Sequence, residues 1–519
     1  MPPLTVHLEP DADTCYRAVA SRDARFDGRF FTGVRTTGIY CRPVCPAVTP
    51  LRRNVVFFAC AAAAEQAGFR PCRRCRPEAA PGSPAWQGTA ATVSRAVRCI
   101  AEGALDRGPG GGGDSATGSS VADLAARLGV GPRQLTRLCE RHLGTTPVRL
   151  AQTRRVHFAR LLIEQSDLSM AQVALASGFG SLRRFNALMK ATYGCAPGDL
   201  RRRRPQARGS RSLAPPTCAI PAATPPLVTL TCRLVWRPPY DWDQLARFLR
   251  GRAITGVEHA TVDSYTRTLA LPDGRAGFLA VAPGRGHWLD LHLELPDLDG
   301  AITLVARARR MFDCAADPAA INEHLARDPV LAPLVARRPG LRLPSAFDPF
   351  ELAVRAIIGQ QVSVAAATTV TGRVVTRCGT PLESPRGPLT HLFPAPAVLA
   401  AADLDGLGLT TRRVATLRTF AAAVAGDSLR LDAPRGPDEL AARLQALPGL
   451  GPWTAAYIAL RALGEPDALP VGDLGLARAL PGVDLTTRGA AWSPWRGYAA
   501  LHLWAGLEDG GTPADDRKD

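Results

Sequence analysis

Two close cysteine pairs limit this chain more than any other feature. Cys41 and Cys45 form a C-x3-C turn, and Cys72 and Cys75 a C-x2-C turn. Each pair offers two thiolates from one turn, and the loop between them brings the chain back. A tetrahedral zinc ion needs that arrangement. From the spacing alone two readings stand: a purely structural site with four thiolate ligands, or a site whose sulfur also reacts. Other cysteines, such as Cys99, Cys139, Cys314 and Cys378, stand singly in apolar surroundings. They read as small core residues in a reducing compartment.

The chain has 519 residues, enough for about three or four domains. Its formal net charge of +17 is unevenly spread. Residues 1–210 carry 31 Lys+Arg against 15 Asp+Glu, whereas residues 211–519 carry 32 against 31. A basic first part suits a polyanion such as nucleic acid, or is simply a solvated surface. Only Lys190 and Lys518 are lysines; every other basic side chain is arginine. No apolar run is long enough for a membrane span and no secretory signal opens the chain, which predicts a cytoplasmic protein. A Gly-rich insert (108–120) and a Pro/Ala/Ser/Arg-rich stretch (205–226) read as linkers. Residues 509–519 read as a disordered polar tail.

The wording around the cysteines is specific. Phe30-Phe-Thr-Gly-Val-Arg-Thr-Thr-Gly-Ile-Tyr-Cys41-Arg-Pro-Val-Cys45 and Gly68-Phe-Arg-Pro-Cys72-Arg-Arg-Cys75-Arg-Pro77 closely resemble the N-terminal domain of the Ada family of DNA alkylation-response proteins. The resemblance covers nearly all of 1–78. It implies one zinc ion held by Cys41, Cys45, Cys72 and Cys75, with Cys41 also the sacrificial acceptor of a methyl group from a DNA methylphosphotriester. Zinc would keep the thiol deprotonated, and the negative site would repel an intact diester more than a neutral triester. Methyl transfer removes one negative charge, which favours DNA binding afterwards. Arg42, Arg73, Arg74 and Arg76 then either meet phosphates or remain solvated surface.

An internal repeat follows. Asp123–Gly129 resembles Gln172–Gly178, and Gly144-Thr-Thr-Pro147 resembles Gly194-Cys-Ala-Pro197. The pattern predicts helices over 121–128, 132–142, about 147–165, 170–177 and 181–192, after a lone helix at 89–104. This tandem helix-turn-helix resembles the AraC-type DNA-binding domain, covering about 85–204. Its second helices belong in the major groove. Arg133, Gln134 and Arg137 in the first unit, and Ser181, Arg183 and Arg184 in the second, are the expected contacts. Arg201–Arg204 reads as a phosphate-binding or linker run. A plain helical bundle is the alternative.

Strand-like runs over 227–235, 267–271, 277–281 and 288–295 alternate with helices near 242–251 and 298–311, and 315–510 reads as helices between turns. Leu447-Pro-Gly449-Leu-Gly451-Pro-Trp453 is a helix-hairpin-helix signature, whose following helix N-terminus offers N–H groups to a phosphate. Asp473 comes about twenty residues later in Leu469-Pro-Val-Gly-Asp473. Alone the hairpin could be a DNA clamp and the Asp a helix cap. Together with Trp236-Arg-Pro-Pro-Tyr-Asp-Trp242, Arg355-Ala-Ile-Ile-Gly-Gln-Gln-Val-Ser363 and Trp492-Ser-Pro-Trp-Arg-Gly-Tyr498 they resemble the AlkA-type 3-methyladenine glycosylases over about 227–508.

That resemblance implies Asp473 as the catalytic carboxylate and Gly449 and Gly451 as hairpin contacts to DNA. It implies an aromatic base pocket from Trp453, Tyr457 and Trp495, with Phe248 behind. Gln361 stands where the family places the leucine wedge that fills the gap left by the flipped nucleotide. Trp453 stands where bifunctional relatives carry a Schiff-base lysine, so base release without strand cleavage is expected. No P-C-H-R motif of an O6-methylguanine methyltransferase is found.

The expected fold is multidomain, mainly α with α+β parts. Its domains are a zinc-binding α/β unit at 1–78, the tandem helix-turn-helix at 85–204, a linker at 205–226, a small α/β domain at 227–312 and a helical helix-hairpin-helix domain at 313–508. The expected cofactors are one zinc ion and a monovalent cation at the hairpin. Double-stranded DNA and RNA polymerase are the expected partners, with no membrane partner, of a monomeric, nucleoid-associated protein of bacterial type. The rival reading is a damage-responsive regulator whose glycosylase-like half only binds DNA.

Overall fold

A computed structural model describes residues 11–80, 91–106, 120–202, 227–431 and 437–510. The 205–226 linker lies outside the described residues, as does all of the Gly-rich insert except Ser120. The first module opens with helix α1 (Ala12–Ser21), capped by the Asp11 carboxylate. A four-stranded sheet follows in the order β3-β1-β2-β4: β1 (Phe31–Val34), β2 (Ile39–Cys41), β3 (Val55–Phe58) and β4 (Arg70–Pro71), with helix α2 (Ala61–Gln66) before β4. Strands β2 and β4 are parallel, with Tyr40 beside Pro71. This register, sealed by Cys72 N–H donating to Tyr40 O at 2.9 Å, brings Cys41 and Cys72 side by side.

Helix α3 (Ala91–Ala101) precedes the repeat, which forms α4 (Val121–Arg127), α5 (Pro132–Leu143), α6 (Pro147–Gln165), α7 (Met170–Ala176) and α8 (Leu182–Tyr193), closed by α9 (Pro197–Arg202). The two second helices bury the same stripe at four-residue spacing: Leu135, Cys139 and Leu143 on α5, and Phe185, Met189 and Tyr193 on α8. That spacing puts one face of each helix on the core and leaves the other to solvent.

Next comes an antiparallel sheet in the order β5-β9-β8-β7-β6: β5 (Val228–Val235), then helix α10 (Trp242–Arg250), β6 (Glu258–Ala260), β7 (Tyr265–Ala270), β8 (Ala276–Pro283) and β9 (Trp288–Leu295), followed by α11 (Ala301–Met311). Strand β9 alternates half-buried and buried residues throughout, as a one-sided antiparallel strand should. The short β6 is a strand that the sequence pattern does not announce.

The last part is helical, with α12 (Pro318–Leu325), α13 (Leu331–Arg337), α14 (Pro349–Ile358) and α15 (Val364–Cys378) before a hairpin of β10 (Thr380–Arg386) and β11 (Leu389–Leu392). After it come α16 (Pro396–Ala401), α17 (Thr411–Ala425), α18 (Pro437–Gln445), α19 (Pro452–Leu463), α20 (Leu474–Ala479), α21 (Leu485–Gly489) and α22 (Arg496–Gly510). The hairpin corrects the all-helical expectation for this part. Helix α22 also runs through Asp509 and Gly510, which the sequence assigns to a disordered tail.

One apolar core runs from Leu162, Ile163 and Phe185 of the helix-turn-helix into Leu230, Leu291 and Leu293 of the five-stranded sheet. The zinc-type module docks on α6 through polar groups. Glu65 accepts hydrogen bonds from Thr153 Oγ1 and Tyr40 Oη, both at 2.8 Å, and faces His157 Nε2 at 3.1 Å. Burial works against the charged forms, yet the pairing raises His157 and lowers Glu65 relative to their ordinary values.

The signs are opposite. The raised histidine contributes stability that is complete below its ordinary value of 6.5 and is lost as pH rises through the shifted one. The depressed carboxylate contributes above 4.5 and fades as pH falls below it. Docking should therefore be tightest between those two values. Urea titrations across that range and above should show stability falling on the alkaline side, and His157→Gln should flatten that limb. An unchanged slope in the variant would contradict the pairing.

Candidate functional sites

The four sulfur atoms of Cys41, Cys45, Cys72 and Cys75 lie within 4.8 Å of one another. Tetrahedral zinc with Zn–S bonds of about 2.3 Å places its sulfurs about 3.8 Å apart, and Cys45 and Cys72 are 4.0 Å apart. The donor set therefore fits zinc. Shared hydrogen bonds pull Cys45 down to about 7 and Cys72 down further, while they push Cys41 and Cys75 up. Four thiolates this close repel one another strongly unless a dication sits among them. Cys72 and Cys75 are buried; Cys41 and Cys45 are half-buried. Together with Cys72 they line a cavity of about 480 Å³ whose walls include Thr32, Val34, Ile39, Val48, Arg74 and Tyr193.

The surrounding arginines divide. Arg42 is held by the Asp27 carboxylate, with Nε at 2.8 Å, and donates its backbone N–H to Cys75 Sγ at 3.3 Å. Arg76 pairs with Glu164 and Glu78. Arg73 donates to Tyr193 O at 2.9 Å, across to the helix-turn-helix module. Arg74 is exposed. Of the two readings offered for these arginines, phosphate contact or solvated surface, neither describes Arg42 and Arg76, which pair with internal carboxylates, whereas Arg73 and Arg74 are exposed.

On α5, Arg133, Gln134 and Arg137 are exposed, as are Ser181, Arg183 and Arg184 at the start of α8. Ser181 has a local task, since its Oγ accepts the Arg184 N–H at 3.2 Å and caps α8.

In the helical part, the turn between α18 and α19 carries Gly449 at φ +88°, where a Cβ would stand 2.2 Å from Thr416 Oγ1. Gln360 ties this turn to the α14–α15 junction, its Nε2 donating to Gly449 O at 3.0 Å and to Thr454 Oγ1 at 2.9 Å. The neighbouring Gln361 is exposed and adopts φ +59°, a left-handed conformation that non-glycine residues rarely take. Val362 and Val364 beside it are exposed too.

Asp473 caps α20, its Oδ1 accepting the Leu476 N–H at 3.0 Å. Two indoles clamp the same carboxylate: Trp504 Nε1 donates to Oδ1 at 2.9 Å, and Trp453 Nε1 to Oδ2 at 3.1 Å. Trp453 also stacks on Tyr457, with centroids 5.3 Å apart and planes 17° from parallel. Burial opposes ionisation of Tyr457, but Arg461, Arg252 and Arg355 lower its phenol below the ordinary value. Phe248 lies behind, between the guanidinium groups of Arg252 at 3.8 Å and Arg461 at 4.4 Å.

Trp495 is buried with Trp492 and Leu501 in an apolar cluster against which Trp504 also packs, and it meets Tyr498 edge-on. The tryptophan that reaches Asp473 beside Trp453 is Trp504, which sequence reasoning missed. It lies on α22 outside any quoted motif, and its helix register was the one available signal. Gly475 was missed as well. A Cβ there would stand 3.0 Å from both Asp473 Oδ1 and Trp504 Cδ1.

Four family descriptions match the chain: "Metal binding domain of Ada" over residues 14–78, "Helix-turn-helix domain" over 124–203, "AlkA N-terminal domain" over 231–348 and "HhH-GPD superfamily base excision DNA repair protein" over 354–490. A "Probable bifunctional transcriptional activator/DNA repair enzyme AlkA" of Mycobacterium tuberculosis is 42% identical over 96% of this chain and 97% of its own. "DNA-3-methyladenine glycosylase 2" of Escherichia coli is 37% identical over 52% of this chain and 95% of its own. "Bifunctional transcriptional activator/DNA repair enzyme Ada" of Escherichia coli is 35% identical over 32% of this chain and 42% of its own.

Replacing glycine by alanine in a helix ordinarily stabilises it by up to about 1 kcal/mol. Gly475→Ala should do the reverse, costing about 1–3 kcal/mol because the methyl group must displace Trp504. One indole N–H resonance should move upfield as its bond to Asp473 breaks. A more stable variant with unmoved indole resonances would contradict the clamp.

Proposed function

The chain belongs to the family of bifunctional transcriptional activator/DNA repair enzymes that join an Ada-type metal-binding part to an AlkA-type part, and from that premise we propose how its own residues divide the labour. The glycosylase half releases alkylated bases of the 3-methyladenine type from DNA by hydrolysis, and it does so without cutting the strand. The observation that carries this reading is the Asp473 carboxylate, gripped by two indole N–H groups.

The grip fixes where the negative charge sits before the sugar arrives. As the N-glycosidic bond stretches, positive charge grows on the sugar. A carboxylate about 4 Å away at an effective dielectric constant of 20 is worth about 4 kcal/mol, roughly a thousandfold in rate. The same carboxylate can orient the attacking water. An alkylated purine that carries positive charge leaves as a neutral base, so little acid help is needed. Trp453 and Tyr457 offer π-faces to such a ring, with Phe248 behind and Trp504 in the role first given to Trp495.

Gln361 and the hairpin residues Gly449 and Gly451 are assigned to DNA. The left-handed backbone at Gln361 holds it out at the tip of the junction, with Val362 beside it as apolar filler. The amide can plug the space vacated by the flipped nucleotide. A monovalent cation held at the hairpin would add positive charge to that contact.

In the first half, Cys41 is the methyl acceptor, with Cys45, Cys72 and Cys75 as fellow zinc ligands. Bound zinc supplies a positive charge that keeps the thiols deprotonated at neutral pH. Half-burial at the cavity wall leaves the Cys41 sulfur reachable, which a buried structural ligand such as Cys75 is not. Arg133, Gln134, Arg183 and Arg184 read promoter DNA, and RNA polymerase is the partner of the activator. The working unit is a monomer, in a cytoplasmic, nucleoid-associated setting. The parts divide at 1–78, 85–204, 227–312 and 313–508.

Asp473→Asn should lower base release roughly a thousandfold while methyl acceptance continues. Cys41→Ser should end methyl acceptance and leave base release unchanged. Borohydride should trap no covalent complex. Negligible release by the wild-type protein would favour a regulator whose second half only binds DNA, and a trapped complex would overturn the strand-sparing assignment.

A further inference from the structure

Thr32 is nearly fully buried, and its Oγ1 has no hydrogen-bond partner. It sits on β1 directly opposite Cys41 of β2 in the antiparallel register. Directly opposed residues project from the same face of a sheet, with Cβ atoms about 4.5–5.5 Å apart. Both residues line the cavity of about 480 Å³. Tyr193 Oη, from the end of α8, is a second unpartnered hydroxyl on that cavity, but only Thr32 faces Cys41 in register.

A buried hydroxyl without a partner costs stability that a valine of nearly the same shape would not. Valine would suit this strand position equally well. Thr32 Oγ1 makes no hydrogen bond to the Cys41 sulfur, so it does not draw electron density from the nucleophile. Its donor is left for something that enters the cavity.

We propose that Thr32 is the hydrogen-bond donor to the phosphoryl oxygen of the phosphotriester attacked by Cys41. This rests on the reading of Cys41 as methyl acceptor. In the step, the Cys41 sulfur uses a lone pair to bond the methyl carbon. The bond from that carbon to the ester oxygen breaks, and its electron pair leaves with the phosphate. The negative charge of the thiolate thereby moves onto the phosphate oxygens, with no proton transferred. A donor aimed at those oxygens gains strength as the charge arrives, so it acts on the transition state more than on the bound triester. The apolar walls at Val34, Ile39 and Val48 keep competing water sparse around it.

The test uses the full-length zinc-loaded protein and a duplex with one methylphosphotriester, followed by intact-mass spectrometry under single turnover. Thr32→Val should bind as much zinc and the same duplex as tightly, with an unchanged or higher melting temperature. Its saturating rate of methyl transfer should fall on the order of a hundredfold, and Thr32→Ser should recover most of it. Replacing the phosphoryl oxygen by sulfur, a poor acceptor, should slow the wild type and leave Thr32→Val little changed. Wild-type rates in Thr32→Val at full zinc occupancy, or an equal sulfur effect in both proteins, would overturn the proposal. Failure of the wild type to gain a methyl group would instead overturn the assignment of Cys41.

Discussion

Helix α6 carries charges where charges are expensive, and the arrangement of the modules follows from how they are paired. Arg160 and Glu164 are both buried, and an unpaired buried charge costs several kcal/mol. They pair with each other and also reach across, Arg160 to Glu78 at 3.4 Å and Glu164 to Arg76. On another side Arg154 and Arg155 converge on Asp106 at 2.7 and 2.8 Å. At the end of the helix, Gln165 Oε1 accepts the Arg233 N–H of β5 at 3.0 Å. Sliding any module along α6 would strand one of these groups, so the helix sets a register as well as a contact. The zinc-type module meets the second half directly too, through Arg29 and Asp317 at 3.0 Å.

This framework holds two sites of opposite chemical character. One gathers four cysteine sulfurs that suit a zinc ion, the setting proposed for attack on an alkyl carbon. The other fixes a carboxylate between two indole donors, the setting proposed for stabilising a cationic sugar. They share a substrate class, alkylated duplex DNA, and a preference for arginine. Arginine binds phosphate in two-point geometry and keeps its proton. Lysine occurs only at positions 190 and 518, and of these only Lys190 is among the described residues, on α8 of the helix-turn-helix module.

Much of this was legible in the sequence, for physical reasons that differ from place to place. The cysteine quartet was visible because metal ligation demands fixed spacing. The helix-turn-helix pairs were visible because one face of each helix must be apolar, and their ends fell within one or two residues of expectation. The β10–β11 hairpin was not, since Pro381 and Pro385 sit inside β10 and proline speaks against a strand unless it is an edge. Trp504 was hidden because its role comes from the packing of α22 beside α20, which no local pattern encodes. The fate of Arg42 was equally hidden: Asp27, fifteen positions earlier, becomes its partner only once the sheet has formed.

On this reading one polypeptide removes alkyl damage in two ways, by sulfur at one site and by hydrolysis at the other. A single incubation of zinc-loaded protein with a duplex treated with a methylating agent examines both at once. Peptide mapping of the protein and chromatography of the freed bases are then read from the same tube. A methyl thioether confined to the Cys41 peptide should appear together with free methylpurines and uncut abasic strands. Unmodified Cys41 and no freed methylpurines would contradict it.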